Sequence, residues 1–262
     1  MSDPTRSDRS GDHRPDHAPH LAAVILHYGD PGLTDRVRRQ LLAADPDRGA
    51  DVLVLDNHAP QPWTGPNLWR RAEANGYWAG ALAWTARELA ASHTHLWFLN
   101  NDIRFDTGGP LLARAEARLA RIAAREGRVG VWSPAARANP YHPQMVADEG
   151  LQYRRVRCVD GIAPCFDLAC LRELGGVDVG ENPYGYGVDV WTSLAADRAG
   201  WAVVVDHGVV IRHAYHTTAR RVEGFLARAA AAEDRYLAAR LGPDWRAELD
   251  RLKADAADSA EI

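Results

Sequence analysis

The chain has 262 residues, of which 46% are hydrophobic and 25% are charged, a composition typical of one large globular domain or of a domain plus an appendage. The formal net charge of -4 gives no electrostatic reason to expect a nucleic-acid partner. The 3 cysteines include no CxxC pair, so neither a disulfide framework nor a zinc site is expected. The sequence has no signal segment and no apolar run of about 18 residues, which predicts a soluble, cytoplasmic protein.

The amino-terminal part of the chain predicts strands that alternate with helices after a polar start. Residues 1–20 are polar and aperiodic, which predicts a disordered tail. Short apolar runs typical of buried parallel strands lie at residues 21–26, 51–55 and 96–99. Helices are expected at residues 34–44, with Thr34 as the N-cap, and at residues 78–91. This alternation predicts an α/β fold with right-handed crossovers.

The remaining sequence continues the pattern and ends in helices. Helices are expected at residues 110–126, 167–174 and 189–199, and strands at residues 129–132, 201–205 and 209–211. The polar segment 137–157 predicts a loop with edge strands. Residues 221–253 are rich in Ala, Leu, Arg and Glu and predict helices broken at Gly242-Pro243, beyond which the last residues are expected to fray.

Four polar clusters follow an apolar strand or accompany a glycine turn. They are His27-Tyr28-Gly29, Asp56-Asn57, Asn75-Gly76 and Asn100-Asn101-Asp102. Because open α/β sheets bind ligands at the carboxyl ends of their strands, we expect the strand-end clusters to converge at one edge. A carboxylate there can hold a divalent cation, and the cation can hold a diphosphate. Each cluster taken alone is also compatible with an ordinary turn or a helix cap.

The order of these motifs resembles that of a known family. The stretches that carry the resemblance are Ala23-Val24-Ile25-Leu26-His27-Tyr28, Val54-Leu55-Asp56-Asn57, Asn75-Gly76-Tyr77-Trp78-Ala79-Gly80, Leu99-Asn100-Asn101-Asp102, and Leu174-Gly175-Gly176-Val177-Asp178 followed by Tyr184-Gly185-Tyr186-Gly187-Val188-Asp189-Val190. Together they resemble the GT-A-fold glycosyltransferases, specifically the large inverting family 2 that includes bacterial rhamnosyltransferases. The resemblance covers residues 21–216.

The resemblance implies a Rossmann-like fold of the α/β class, with a mixed, mainly parallel sheet flanked by helices. The GT-A domain is expected at residues 21–217, with a nucleotide-binding half at about 21–108 and an acceptor-side half at about 109–217. Residues 218–262 are then a C-terminal helical extension, through which we expect a homodimer to form.

The resemblance also assigns roles at the donor and metal sites. Asp56 is expected to contact the nucleotide base. The other residues expected to bind the nucleotide sugar are His27, Tyr28, Gly29, Asn57, Asn75, Gly76, Asn100 and Asn101. Asp102 and His213 are expected to hold Mn²⁺ or Mg²⁺, while His216 is treated as a bystander or a phosphate contact. The metal motif supplies one carboxylate, so the donor's own phosphates are expected to complete the site.

On the acceptor side the resemblance makes Asp189 the catalytic base. An N-terminal helix cap is the competing interpretation of Asp189, and the helix dipole is expected to lower its pKa. The chain has Val188 where the family usually has Glu, and Trp191 where it often has a second Asp. We expect Trp191 to offer a flat stacking face to the acceptor, with Tyr186 and Gly161 also on the acceptor side.

The predicted function is metal-assisted sugar transfer, with inversion, from a nucleotide-diphosphate sugar to an acceptor hydroxyl or other nucleophile. The partners are thus a nucleotide sugar and an unidentified acceptor, which is a small molecule, a peptide or a glycan. A non-catalytic protein that binds sugar nucleotides is the first alternative. A sugar nucleotidyltransferase ranks last, because Gly29-Asp30-Pro31-Gly32 contains no basic residue to hold phosphates.

Overall fold

The computed structural model describes residues 18–214 and 223–262, and its strands join in one mixed sheet. The strands are β1 Leu21–His27, β2 Val52–Asp56, β3 Leu68–Arg71, β4 His95–Asn100, β5 Ile103–Phe105, β6 Val129–Ala136, β7 Tyr153–Val156, β8 Cys165–Asp167, β9 Ala202–His213 and β10 Ala256–Ser259. Their order is β10-β7-β9-β6-β8-β4-β1-β2-β3, and β5 pairs with β9.

Seven α-helices occur within these described ranges. They are α1 Pro31–Ala44, α2 Tyr77–Leu89, α3 Leu112–Glu126, α4 Leu168–Glu173, α5 Val188–Arg198, α6 Phe225–Leu241 and α7 Trp245–Ala254. Short 3₁₀ turns lie at Pro46–Asp51 and Pro143–Met145. No helix within residues 18–214 or 223–262 is long and apolar enough to cross a membrane. The mixed sheet and the seven helices around it confirm the predicted α/β class within the described ranges.

Strand β1 shows how the two faces of the sheet are covered. Its residues alternate in direction, so Leu21 and Ile25 pack with Val37 and Leu41 of α1 on one face. Ala22, Val24 and Leu26 belong to the cluster on the other face, which includes residues of α2, α4 and α5. All seven residues of β1 are buried, as expected for a parallel strand that has helices on both sides.

The parallel part of the sheet aligns the strand ends that carry the polar clusters. β3, β2, β1 and β4 are successive parallel neighbours. His27 pairs with Asp56, and Leu26 pairs with Asn100. The carboxyl ends of β1, β2 and β4 therefore lie side by side, which is the edge where the sequence predicts a ligand.

The helix that follows β1 starts three residues earlier than predicted and has a different cap. Asp30 is the N-cap of α1, and its side chain accepts a hydrogen bond from the Gly32 N–H at 2.8 Å. Thr34, predicted as the cap, is instead fully buried inside the helix. Pro31 at the first helical position explains the earlier start, since it lacks the N–H that would be unsatisfied there.

The two strands predicted at residues 201–205 and 209–211 are one continuous strand, β9. The polar Asp206-His207-Gly208 stretch suggested a break between them. In the structure Asp206 is buried and accepts hydrogen bonds from Arg118 Nε and from Trp132 Nε1. These hydrogen bonds offset the cost of burying the carboxylate. The strand therefore continues through the polar residues, with a shift of register in its pairing with β6.

The C-terminal extension is not purely helical, and its end is not frayed. β10 pairs antiparallel with β7, and Arg154 binds Asp258 while Arg157 binds Asp255. Leu237 of α6 and Leu249 of α7 pack in one cluster with residues of α5. The extension therefore completes the edge of the sheet, and the homodimer stays a prediction.

At the amino terminus the predicted disordered tail ends before residue 20. The His20 N–H donates to Thr94 Oγ1 at 2.7 Å, which fixes the chain just ahead of β1. Residues 1–17 of the predicted tail lie outside the described part of the chain, as do His216 and the predicted domain boundary at residues 217 and 218.

Candidate active site

The predicted metal ligands meet although they are more than a hundred residues apart in sequence. β5 runs antiparallel to β9 and pairs Ile103 with His213. This pairing brings Asp102 Oδ1 to 3.0 Å from His213 Nε2, with both side chains largely buried. In an octahedral site with metal–ligand bonds of about 2.0–2.1 Å, adjacent ligand atoms lie about 2.9–3.0 Å apart. The two residues thus fit adjacent positions of one divalent cation.

The two asparagines of the same motif do not share this position. Asn101 is buried, and its Nδ2 donates to Thr34 Oγ1 at 3.1 Å and to the Tyr28 carbonyl at 3.4 Å. It therefore holds the loop after β1 against the end of β4. Asn100 is the last residue of β4, is half-buried, and donates its backbone N–H to the Ile162 carbonyl at 3.0 Å.

His27 has a structural environment rather than an open one. The imidazole is fully buried, with Nδ1 at 2.7 Å from Thr34 Oγ1 and Nε2 at 2.8 Å from the Gln61 carbonyl. Both ring nitrogens are therefore used by the chain, and the predicted direct contact with a nucleotide is not available to this side chain. His27 instead fixes the loops that follow β1 and β2.

Replacing Thr34 by Val should destabilise the protein, since the Thr34 hydroxyl serves both His27 and Asn101. Thr34→Val keeps the shape but leaves two buried polar groups without this partner, so we expect the free energy of unfolding to fall by about 1–3 kcal/mol. Urea denaturation measures the change.

Thr85→Val in α2 is the matched control. Thr85 is equally buried, but its Oγ1 has no hydrogen-bond partner among the described residues. Its replacement should be neutral or stabilising. Equal losses of stability for the two variants would contradict the role given to the Thr34 hydroxyl.

Asp56 is also used by the chain in this structure. Its carboxylate is fully buried and accepts hydrogen bonds from the N–H groups of Ala59 and Trp63. Arg71 Nη1 approaches Asp56 Oδ2 to 2.7 Å from the end of β3. Asp56 therefore organises the loop after β2, and any contact with a base would have to share oxygens that already have partners.

The Asn-Gly turn is tied to the end of β2 by side-chain amides. Asn57 Nδ2 donates to Asn75 Oδ1, and Asn57 Oδ1 accepts from the Gly76 N–H, each at 3.0 Å. A Cβ on Gly76 would lie 3.2 Å from the backbone nitrogen of Ala81, so a side chain there is crowded. Gly76 is the N-cap of α2, so this helix begins beside the carboxyl end of β2. Tyr28 and Gly29, with a φ of 97° at Gly29, form the adjacent turn after β1.

Asp189 lies at the start of α5 with both carboxylate oxygens held by backbone groups. Oδ2 accepts from the Gly161 N–H at 2.7 Å, and Oδ1 accepts from its neighbour's N–H, that of Val190, at 2.8 Å. Burial raises the pKa of Asp189 to about 7, and the nearby carboxylates of Asp160 and Glu233 raise it further. The two N–H groups lower it, but by less. The N–H group at the helix start does lower this pKa, but desolvation outweighs that lowering.

Gly161 contacts both Trp78 of α2 and Asp189 of α5. Its carbonyl accepts from Trp78 Nε1 at 2.8 Å, while its N–H binds Asp189. A Cβ on Gly161 would lie 2.9 Å from the Trp78 ring and 3.1 Å from Asp189 Oδ2. Only glycine therefore lets Trp78 and Asp189 approach the same point, which places Gly161 between the Asn-Gly turn and the predicted base.

Tyr186 lies in the glycine-rich turn before Asp189 and has a raised pKa. Burial raises the pKa of Tyr186 to about 12, and the charges of both Asp189 and Asp102 contribute to the increase. The Tyr186 ring also borders an aromatic cluster, which consists of Tyr77, Tyr184 and Phe225.

Two carboxylates near Asp189 were not predicted. Burial raises the pKa of Asp160 to about 6, and the charge of His213 opposes this change. Glu233 of α6 also has a pKa raised by burial, and its side chain packs over Gly187. The Asp-Gly pair at residues 160 and 161 could have flagged the first, but nothing in the alanine-rich sequence of α6 distinguishes Glu233.

Trp191 packs beside arginines of α5 and α6. The guanidinium groups of Arg198 and Arg240 lie 5.0 and 5.7 Å from the centroid of its ring. Residues two apart on a helix point in different directions, so Trp191 turns away from Asp189 and packs with the C-terminal helices. The stacking of Trp191 against an acceptor stays a prediction.

Comparison with known proteins gives relatives by sequence but no matching family model. The uncharacterized proteins Rv1525 and MT1576 of Mycobacterium tuberculosis and Mb1552 of Mycobacterium bovis are each 30% identical to the chain over 182 residues. The aligned region covers 68% of this chain and 69% of each relative.

Two solved structures share the fold at low sequence identity. GalNAc-T7, in a crystal structure with UDP, GalNAc and Mn²⁺, superposes with a TM-score of 0.56 at 15% identity, over 92% of this chain and 55% of that one. The mannosyltransferase PcManGT from Pyrobaculum calidifontis, in complex with GDP-Man and Mn²⁺, has a TM-score of 0.56 at 17% identity, over 92% of this chain and 77% of that one. The chain thus has the GT-A fold and spans about half the length of GalNAc-T7.

Proposed function

The chain belongs to the family of the mycobacterial protein Rv1525, and from this premise and its GT-A fold we propose that it is an inverting, metal-dependent glycosyltransferase. The donor is a nucleotide-diphosphate sugar, and the acceptor is a hydroxyl or another nucleophile. The sequence resemblance favours the family 2 type, to which the bacterial rhamnosyltransferases belong. GalNAc-T7 and PcManGT, each with Mn²⁺ and a nucleotide or nucleotide sugar in its structure, support the choice of donor and metal.

One observation carries the proposal. Asp189, whose pKa is raised to about 7, binds the Gly161 N–H, and the carbonyl of the next residue, Ile162, accepts from the N–H of Asn100 at the end of β4. Asn100 lies two residues before Asp102, the carboxylate of the acid–imidazole pair spaced for a divalent cation. The charges of Asp189 and Asp102 both raise the pKa of Tyr186, which supports a common site. A general base works best when its pKa lies near the working pH, and Asp189 meets this condition.

The residues divide the chemistry of transfer between them. Asp102 and His213 would hold the cation, which neutralises the departing diphosphate when bound. The nucleophilic atom of the acceptor forms a bond to the anomeric carbon while the bond from that carbon to the diphosphate breaks. Asp189 accepts the proton that the acceptor loses in this step. The Gly161 and Val190 N–H groups fix the carboxylate for this role. A single displacement of this kind inverts the anomeric centre.

The acceptor side is bordered by aromatic rings. Tyr77, Tyr184 and Phe225 contact one another with centroid separations of 5.0 to 6.0 Å, and each is half-buried. Tyr186 lies between this cluster and Asp189. Half-exposed rings next to a base favour an acceptor with an apolar or ring-shaped portion.

A panel of nucleotide sugars tests the proposal. Thermal unfolding in the presence of Mn²⁺ should reveal one preferred donor, which at 100 times its dissociation constant stabilises the protein by about 2.7 kcal/mol. The free nucleoside without diphosphate, and the donor with EDTA, are the controls and should give little stabilisation.

The same panel separates the alternatives. A donor that binds and is transferred to acceptors in a product assay supports the enzyme. A donor that binds but whose sugar is never transferred favours the non-catalytic binding protein. The observation in favour of that alternative is Val188, which stands where the family usually has Glu. Release of pyrophosphate from a nucleoside triphosphate and a sugar phosphate would instead identify a nucleotidyltransferase.

A further inference from the structure

A second group of metal-ligating side chains lies at the amino ends of the strands. His20 precedes β1, Asp51 precedes β2, and His93 lies two residues before β4. β1 has 7 residues, so at a rise of about 3.3 Å per residue this edge is roughly 20 Å from the carboxyl ends. The group is therefore distinct from the Asp102–His213 pair.

The two imidazoles converge on one carboxylate oxygen. His20 Nε2 lies 3.2 Å and His93 Nε2 lies 3.4 Å from Asp51 Oδ1. All three ligand atoms lie within 4.8 Å of one another. In a tetrahedral zinc site with bonds of about 2.0–2.1 Å, neighbouring ligand atoms are about 3.3–3.4 Å apart. The two nitrogen–oxygen separations already match this geometry.

Neighbouring side chains hold two of these ligands, Asp51 and His93, in orientation. Arg48 Nε donates to Asp51 Oδ2 at 2.5 Å, which leaves Oδ1 on the side of the imidazoles. Ser92 Oγ lies 2.8 Å from His93 Nδ1, so that His93 Nε2 is the nitrogen that faces Asp51. Support of this kind for the outer atoms of ligands is typical of metal sites.

The charge of the cluster favours a cation despite the arginine. Arg48 is neutralised by Glu116, whose two oxygens accept from its guanidinium at 2.7 and 2.8 Å. With neutral imidazoles, Asp51 and Glu116 against Arg48 leave one net negative charge. The His20 side chain is 49% exposed, whereas that of Asp51 is 13% exposed, so a cation can enter from solvent toward a sheltered carboxylate.

We propose that His20, Asp51 and His93 form a zinc site, with water as the fourth ligand, that ties together the amino ends of β1, β2 and β4. Two imidazoles and a carboxylate are ligands suited to Zn²⁺. A zinc site was not expected, because the cysteines lack the right spacing. These three ligands come from separate segments and form no local motif. Zinc binding would fix the start of β1 to its two parallel neighbours.

Titration with Co²⁺, a spectroscopic substitute for zinc, tests the site in the full chain. To exclude the candidate active site, the titration uses the Asp102→Asn variant. We expect the visible absorption of tetrahedral Co²⁺ to saturate at one equivalent and to disappear when Zn²⁺ is added. His93→Ala or His20→Ala should weaken Zn²⁺ binding at least about 10–100-fold and abolish any increase in Tm that Zn²⁺ produces.

Two controls guard against nonspecific binding by histidines. His58→Ala removes an exposed histidine elsewhere, and His13→Ala with His17→Ala removes those of the amino-terminal segment. Both control variants should bind Co²⁺ like the parent. Binding that is lost in the His13/His17 variant, or that persists unchanged in both His20→Ala and His93→Ala, would overturn the proposal. His20→Ala is the safer variant for folding, because this side chain is half-exposed.

Discussion

Asp189→Asn should reduce sugar transfer by about 10²–10⁴-fold while leaving donor binding intact. The carboxamide cannot accept the proton of the acceptor, and this loss affects only the chemical step. Donor affinity should persist, because the proposed metal ligands lie just before β5 and at the end of β9 rather than on α5. Product formation under saturating donor, together with donor titration, measures the two effects separately.

The matched control for this variant is Asp197→Asn. Asp197 lies on the same helix but pairs with Arg157 at its far end. The same chemical change there should leave the transfer rate within a small factor of the wild type. If Asp189→Asn retained wild-type transfer, Asp189 would not be the base, and its hydrogen bonds to Gly161 and Val190 would make it a helix-start contact only.

The raised pKa of Asp189 predicts the pH profile of the wild type. Only the carboxylate form accepts a proton, so kcat/KM should rise about tenfold per pH unit below pH 7 and level off above it. Stability should change in the opposite direction. A carboxyl with a folded-state pKa raised above its model value of 3.8 favours the folded state at low pH, and this contribution is lost as the pH rises through about 7. Asp189→Asn should remove this part of the pH dependence of unfolding.

Sequence reasoning located the sheet edge well because it depended on strand ends. An apolar run that stops at polar residues predicts a buried strand and its terminus, and His27, Asp56 and Asn100 do lie at three such ends. The approach of Asp102 to His213 depends on the pairing of β5 with β9. No local pattern specifies that pairing, so only the family resemblance anticipated it.

The surroundings that the sequence did not predict depend on contacts between distant segments. Asp56 was expected to meet a base, but Arg71 reaches it from β3, a short exposed strand that no apolar run predicts. Thr34 was expected to cap a helix, but its hydroxyl serves His27 and Asn101. Trp191 is different, since helical periodicity alone separates it from Asp189. That separation was available from the sequence.

Asp102→Ala should weaken the binding of a nucleoside diphosphate or nucleotide sugar in the presence of Mn²⁺ by at least about 10–100-fold. Asp102 is the one carboxylate of the predicted metal pair, so its loss leaves His213 and the ligand's own phosphates to hold the cation. Without metal the variant and the wild type should bind the nucleotide equally weakly. Calorimetric titration with Mn²⁺ and with EDTA measures this difference.

Asp106→Ala provides the control for the loss of a nearby negative charge. Asp106 directly follows β5 and is bound by Arg137 and Arg212, so it has structural partners rather than a proposed metal role. Removing it should leave the Mn²⁺-dependent part of nucleotide binding unchanged. If both variants lost affinity alike, the effect would be electrostatic attraction across the site, and if neither lost it, Asp102 would not be a metal ligand. Only a selective loss at Asp102 fits a cation held between this carboxylate and His213. A metal–ligand bond needs direct contact with the cation, whereas electrostatic attraction also acts from nearby charges such as that of Asp106.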